Sequence, residues 1–238
     1  GWAQAARADA LARLRAAWVP VVLASSKTAA EIAPLRAALG FDDVPAIVEN
    51  GAGLLEPGAD TPPGGQYDEL RQALAALPAD LRAGFSGFGD WGPDGIAEHT
   101  GLPPDEAARA ARRQFSEPGL WSGSAADKTR FLDALAARGI AAREGGRFLT
   151  LSFGGTKAAR MDDILGRYGR PFSVALGDAP NDVEMLERAD LGIVVANPHR
   201  APLPALSGEA EGRIRRTTLA GPAGWNAAIL QVMVERGL

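Results

Sequence analysis

The run Val174-Ala175-Leu176-Gly177 is short and apolar, and it gives way at once to Asp178-Ala179-Pro180-Asn181-Asp182. An amphipathic stretch, Val183 to Ala189, follows. The pattern reads as strand, tight turn and helix, which puts Asp178 at the carboxyl end of a strand, where open α/β sheets bind ligands. A carboxylate there, backed by Asn181 and Asp182 at the mouth of the helix, suits a hard divalent cation such as Mg²⁺. Asp182 also fits the ordinary duty of a helix cap.

Two further groups lie beside strand ends. Ser25-Ser26-Lys27-Thr28 closes the apolar run Val19 to Ala24, and Thr156-Lys157 opens a helix. Hydroxyl, lysine and metal-binding carboxylate together are what phosphate chemistry needs. The hydroxyl donates to phosphate oxygens, the lysine supplies positive charge, and the cation neutralises charge that develops in the reaction. Taken singly, Ser25 reads as a turn residue, Thr28 as a helix cap and Lys157 as a solvated helix residue. Three strand ends offering compatible groups favour the shared chemical role.

The elements that must position these groups can be read from periodicity. Ala3 to Ala17 has helical spacing, and Val19 to Ala24 reads as a buried parallel strand. Thr28-Ala29-Ala30-Glu31 is a capping box opening a helix that carries Leu35 and Leu39 and stops at Gly40. Pro45 to Val48 is a strand, and Asn50-Gly51 turns the chain into a hairpin arm at Leu54-Leu55. The stretch from Glu56 to Gln66 is rich in proline and glycine and reads as a linker.

Beyond it the rhythm changes. Helices are predicted over Tyr67 to Leu77, Asp94 to Gly101, Pro103 to Arg113 and Ala125 to Arg138. A strand is predicted at Leu120 to Ser122, and a hairpin joins Ile140–Arg143 to Phe148–Ser152. The helix Lys157 to Tyr168, the strand Phe172 to Leu176, the helix Pro180 to Ala189 and the strand Leu191 to Val195 restore the alternating pattern. Asn197 to Pro222 reads as polar loop, and Gly224 to Arg236 as a closing helix. Alternation at both ends implies a doubly wound, parallel α/β sheet. Residues 1–57 and 156–238 are expected to form this core, with 58–155 an inserted α+β domain.

Bulk composition narrows the function. The 238 residues are 46% hydrophobic and 23% charged, as in ordinary globular chains. The net charge of −4 and the lack of a basic block argue against a nucleic-acid partner. No run of about 18 apolar residues offers a membrane span, and no signal peptide is visible. Cysteine is absent, which removes disulfides and thiol chemistry and agrees with a cytoplasmic location. His99 and His199 are the only histidines, so a histidine-built zinc site is not expected.

Four motifs, SSKT at Ser25, VENGAG at Val48, GGRF at Gly145 and GDAPND at Gly177, resemble the haloacid dehalogenase superfamily of phosphatases, in its capped branch. Within it the chain is most similar to the mannosyl-3-phosphoglycerate phosphatase subfamily. The likeness runs over most of the sequence, including Gly89 to Leu102 and the late Gly221-Pro222-Ala223-Gly224-Trp225. It implies Mg²⁺-dependent hydrolysis of a small phosphorylated sugar through an aspartyl-phosphate. Carried onto this sequence, it makes Ser25 the phosphate-binding hydroxyl and Lys157 the lysine that stabilises nucleophile and intermediate. Asp178 becomes the metal carboxylate, with Asn181 and Asp182 as its support. Lys27, Asn50, Asp90 and Arg147 become candidates for substrate contact. Arg147 suits a carboxylate, which its fork can bind bidentately, and equally suits an exposed hairpin tip.

One departure is plain. Such phosphatases carry their nucleophile and general acid in a D-x-D-G-T run after the first core strand, and no such run occurs here. Asp9 lies in a helical stretch, and Asp162-Asp163 is mid-helix. The expectation is a truncated chain, lacking the first core strand, that does not turn over. Other sugar-phosphate phosphatases, acting on glucosyl-3-phosphoglycerate or sucrose phosphate, remain open as alternatives. So does a non-catalytic phosphosugar-binding protein, and so does a purely structural use of all three clusters.

Overall fold

The computed structural model describes residues 8–145 and 147–238. The chain forms two compact units, Gly1–Val21 with Lys157–Leu238, and Val22–Thr156. The first opens with helix α1 (Ala8–Ala16), which buries Ala10, Leu11 and Leu14. These recur at helical spacing, as one apolar face requires.

The middle unit begins with extended chain. The predicted strand over Val19 to Ala24 is reduced to a single parallel bridge between Ala24 and Ile47. Ser25 N–H donates to Ile47 O at 3.0 Å and Ile47 N–H to Leu23 O at 2.7 Å. Pro20 has no N–H to give to a longer ladder. Helix α2 (Ala29–Leu39) starts on the Thr28 capping box and ends at Gly40, whose φ of 69° a side chain would resist. Strands β1 (Ala46–Val48) and β2 (Gly53–Leu55) form the expected hairpin, with Val48 opposite Gly53. Gly53 has no room for a side chain, because a Cβ there would lie 2.3 Å from the Phe115 ring. Arg36 is 2% exposed and meets no carboxylate among the described residues, and its guanidinium donates to the carbonyls of Val44, Glu56 and Ala59.

Helices α3 (Tyr67–Ala75) and α4 (Ala79–Arg82) follow, then strand β3 (Phe85–Gly87). Helix α5 (Phe88–Thr100) is broken at Gly92, which has φ 65° just before Pro93. Helix α6 (Pro104–Ala110) leads to strand β4 (Ser116–Trp121), which is longer than the predicted Leu120–Ser122. Helix α7 (Ala125–Ala136) and the hairpin of β5 (Ala141–Gly145) and β6 (Phe148–Ser152) complete the unit. The four strands form one antiparallel sheet in the order β3-β4-β6-β5.

Alternation along β6 gives this sheet two packed faces. Leu149 and Leu151 join Leu70, Leu74, Phe85, Phe131 and Leu135 in one core. Phe148, pointing the other way, packs on the cluster of Phe88, Ile96, Ala107 and Ala110 from α5 and α6. The predicted α+β character of this region is therefore what forms.

The returning chain is α/β. Helix α8 (Lys157–Arg167), strand β7 (Val174–Gly177), helix α9 (Val183–Arg188), strand β8 (Leu191–Ala196), strand β9 (Ile214–Ala220) and helix α10 (Gly221–Arg236) follow in order. The strands form a parallel sheet in the order β7-β8-β9. Helix α9 is the crossover that parallel pairing of β7 and β8 demands. Helix α10 covers Val174, Leu176, Leu191 and Ile193 through Ala228 and Val232. Helix α1 joins it through Ala10, Leu14, Ile229 and Met233, and Ala10 N–H donates to Asn226 Oδ1 at 3.0 Å.

Strand β9 falls inside the stretch read from sequence as loop. Its register on β8 runs from Gly192–Ile214 to Val194–Arg216, then jumps to Ala196–Ala220. At the jump, Ala196 N–H donates to Thr217 Oγ1 at 2.9 Å instead of to a carbonyl. No helix among the described residues is long and apolar enough to cross a membrane.

Candidate functional site

In the α/β unit the candidate site is the turn that follows β7. The strand ends at Gly177, where a side chain has no room because a Cβ would lie 2.4 Å from Asp182 Cβ. The open space lets Asp182 fold back under the turn. Its Oδ2 accepts the N–H groups of Asp178 and Ala179, each at 3.1 Å. Its Oδ1 takes Lys157 Nζ at 2.6 Å. Lys157 and Asp182 are 6% and 9% exposed at their side chains. A buried lysine needs such a partner, since an uncompensated charge at this depth costs several kcal/mol.

Asp182 is thus fully engaged with the lysine and the turn, while Asp178 is held differently. Asp178 is half-buried, and its Oδ2 accepts from Asn197 Nδ2 at 2.5 Å. Asn197 Oδ1 in turn accepts the His199 N–H at 2.9 Å, which fixes the amide's orientation. Asn181 sits half-buried in the 3-10 turn Pro180–Asp182. The structure therefore brings Lys157, Asp178 and Asp182 together, with Asn181 in the same turn. Asn197 was not singled out from sequence. It directly follows β8, the strand paired with β7, and the strand-end rule that marks Asp178 would have marked it too.

Carboxylate and amide oxygens at this turn form an oxygen-only donor set. That matches Mg²⁺, which takes one or two carboxylates and completes its shell with water and substrate phosphate. Among the described residues no cluster of three or more histidine, cysteine or acidic side chains forms a metal cage.

The middle unit carries Ser25, Lys27 and Asn50 in two loops that are tied to each other. Ser25 is half-buried and its Oγ accepts the Lys27 N–H at 3.2 Å. Asn50 N–H donates to Ser25 O at 2.9 Å, and Glu49 N–H to Lys27 O at 2.9 Å. Asn50 has φ 59° and ψ 26°, a left-handed conformation that asparagine tolerates better than most residues. Lys27 Nζ pairs with Glu31 at 2.7 Å on an exposed face. Thr28 is fully buried and serves as the cap, and its Oγ1 also donates to Arg109 O at 2.9 Å.

Asp90 and Arg147 lie elsewhere in this unit, and each has its own partners. Asp90 binds Arg71 at 2.7 Å, Arg82 at 2.7 Å and the Gly87 N–H at 2.9 Å. Burial works against its charge, but Arg71, the Gly87 amide and Arg82 together hold the carboxyl down at about 2. Arg71 also reaches Glu117, which is buried and accepts from Tyr67 Oη at 2.6 Å and Gly89 N–H at 2.9 Å. Burial pushes the Glu117 carboxyl upward against these contacts, and burial together with Glu117 pushes the Tyr67 phenol up. Arg147 is exposed, lies 5.5 Å from the Phe148 ring centroid, and donates to Thr100 O at 3.3 Å.

Residues 146–204, which include α8, β7 and the Asp178 turn, match the haloacid dehalogenase-like hydrolase family. Several solved structures share the fold. A Streptococcus mutans protein, SMU.1108c, superposes with a TM-score of 0.65 at 15% identity, over 98% of this chain and 92% of its own. The sucrose-phosphatase of Synechocystis, solved with sucrose and phosphate, gives 0.61 at 12% identity over 99% of this chain and 92% of its own. BT1666 of Bacteroides thetaiotaomicron, described among phosphatases of the haloalkanoate dehalogenase superfamily, gives 0.57 at 16% identity over 98% and 87%. The fold is the Rossmann-type α/β fold of these structures, as the motifs led one to expect.

Proposed function

We propose that this chain is a phosphosugar phosphatase of the haloacid dehalogenase type, with mannosyl-3-phosphoglycerate as its substrate and the cytoplasm as its location. The observation that carries the reading is the buried Lys157–Asp182 pair set directly beneath the Asp178 turn. A buried lysine at the start of a helix, held beside the Asp178 turn, is a positive charge suited to an anionic reacting group. The family match at residues 146–204 supports the hydrolase class. The fold likeness to a sucrose-phosphatase supports a phosphorylated sugar.

In this reading Ser25 donates to a phosphate oxygen, and Lys157 stabilises the attacking aspartate, which these residues do not supply, and the aspartyl-phosphate formed on it. Asp178, oriented by Asn197 and supported by Asn181, holds Mg²⁺. When bound, the ion neutralises charge on the phosphate oxygens. Asp182 holds Lys157 in place and keeps the turn closed. Lys27, Asn50, Asp90 and Arg147 are assigned to the sugar and glycerate parts. Residues 58–155 act as the substrate-selecting insert in a core of 1–57 and 156–238. No D-x-D-G-T run supplies the attacking aspartate among these residues, which gives a second reading, a phosphosugar-binding protein without turnover.

Calorimetry with mannosyl-3-phosphoglycerate, with and without Mg²⁺, tests the proposal alongside a phosphate-release assay. The expected result is Mg²⁺-dependent binding, lost in Asp178→Ala, and tighter than for glucosyl-3-phosphoglycerate or sucrose phosphate. Equal binding without Mg²⁺ refutes the metal role, and no binding of any phosphate ester refutes the whole reading. Phosphate release by this chain would place the attacking carboxylate among its own residues. Binding without release selects the second reading.

A further inference from the structure

Glu49 is 1% exposed, yet it is a charged residue in a tight turn. Its backbone has φ 50°, and Asn50 beside it has φ 59°. Two consecutive non-glycine residues in the left-handed region are costly and persist only where the surroundings over-determine them. Here the surroundings are the Glu49 carboxylate's own partners. Oε1 accepts the Gln114 N–H at 2.9 Å. Oε2 accepts Phe115 N–H at 3.2 Å, Ser116 N–H at 2.8 Å and Ser116 Oγ at 2.7 Å. Arg113 Nε lies 3.3 Å away, and that guanidinium also donates to Ser26 O at 3.3 Å and Ser116 Oγ at 2.6 Å.

The backbone of the same turn is bonded to the Ser25 loop, through Glu49 N–H to Lys27 O and Asn50 N–H to Ser25 O. One buried carboxylate and one buried guanidinium therefore pin both loops to the segment that starts β4. The polar atoms of this pair are spent on these partners, so the pair acts through the loops it holds.

We propose that Glu49, with Arg113 and Ser116, is a positioning residue for phosphate binding, which fixes the Ser25–Lys27 loop and the left-handed Asn50 turn in their binding geometry. The inference rests on the phosphate-binding assignment of Ser25. Its chemistry is specific to a carboxylate. An amide at this position has the same shape but must turn a donor toward the amide of Gln114 or toward those of Phe115 and Ser116, and it leaves the buried Arg113 without a counter-charge.

The test compares the wild-type chain with Glu49→Gln and Ser116→Ala, which removes only one donor. Inorganic phosphate is titrated by calorimetry, Mg²⁺ is titrated separately, and amide exchange is followed by NMR. Glu49→Gln is expected to weaken phosphate binding by about tenfold and Ser116→Ala by about threefold, since small displacements of binding groups carry large penalties. Mg²⁺ affinity is expected to stay the same in both, which general damage to the fold would not allow. The amides of Glu49 and Asn50 are expected to exchange about tenfold faster in Glu49→Gln, as local opening becomes easier.

Unchanged exchange at Glu49 and Asn50 in a folded Glu49→Gln protein overturns the positioning role. Faster exchange with unchanged phosphate affinity also overturns it. If Glu49→Gln does not fold, the Ser116→Ala titration decides in the same way. A wild-type chain that binds no phosphate while these exchange effects hold overturns the assignment of Ser25, and leaves Glu49 as the residue that fixes the loop.

Discussion

Lys157 and Asp182, 25 residues apart in the chain, meet at 2.6 Å with both side chains nearly out of reach of water. The aspartate serves two masters. One oxygen compensates the lysine and the other closes the turn by accepting the amides of Asp178 and Ala179.

Lys157→Met is therefore expected to lower stability by about 3–5 kcal/mol, the cost of stranding a buried charge. In many buried pairs an apolar double replacement recovers that loss. Here Lys157→Met with Asp182→Leu is expected not to recover it, because the two turn amides lose their acceptor as well. Urea unfolding of the single and double variants checks this.

Gly177→Ala tests the same geometry from the backbone side. The added Cβ would sit 2.4 Å from Asp182 Cβ. Overpacking of this kind is expected to cost about 1–3 kcal/mol. The shift of thermal midpoint is the measurement, and an unchanged midpoint would contradict the close approach.

Asp90 gives a pH dependence. Its carboxyl is held at about 2 in the folded chain, below the ordinary carboxylate range. A depressed folded value means that the carboxylate stabilises the fold above about pH 4, and that this contribution fades as pH falls toward 2. With allowance for solvent screening it amounts to about 1 kcal/mol. Asp90→Asn is expected to be less stable than wild type by that amount at pH 6, with the gap narrowing by pH 3. Denaturant titrations at the two pH values measure it.

Asn197→Ala is expected to weaken Mg²⁺ binding by about tenfold, since partners that orient a ligating carboxylate contribute on that scale. The fold should be unaffected in its circular dichroism spectrum. An unchanged affinity would show that Asp178 needs no orientation from Asn197.

Much of this architecture was legible in the sequence, for identifiable reasons. Gly177-Asp178 announced its turn because an apolar run stopped abruptly there. The Thr28 box and Gly40 bounded α2 because cap chemistry is local. The hairpin of β5 and β6 showed itself by turn residues between apolar runs. Strand β9 did not show itself. It carries Arg215, Arg216, Thr217 and Thr218 and buries little beyond Ile214, so the apolar signal of a parallel strand is missing. Val19 to Ala24 had that signal but formed only one bridge, because a strand also needs a partner with donors and acceptors in register. Asn197 follows β8 and was within reach of the strand-end rule, but Glu49 was invisible for another reason. Its importance lies in what it orients, and only the folded chain shows which oxygen faces which amide.

The register jump between β8 and β9 has a consequence for how this scaffold can vary. Two steps along β8, Val194 to Ala196, are matched by four along β9, Arg216 to Ala220. The slack is taken up by Thr217, whose hydroxyl receives the Ala196 amide and donates to Leu219 O at 2.7 Å. Such a joint works as a length adjuster. The joint is close-packed, since a Cβ on Gly224 of α10 would collide with Leu219 O and crowd Thr217 Oγ1, so the extra residues are held in place while β8 delivers the chain to Asn197. Substitution is therefore constrained at two places, at the Asp178 turn by Gly177 and Asp182, and two strands further on by the fit of Gly224 against the joint.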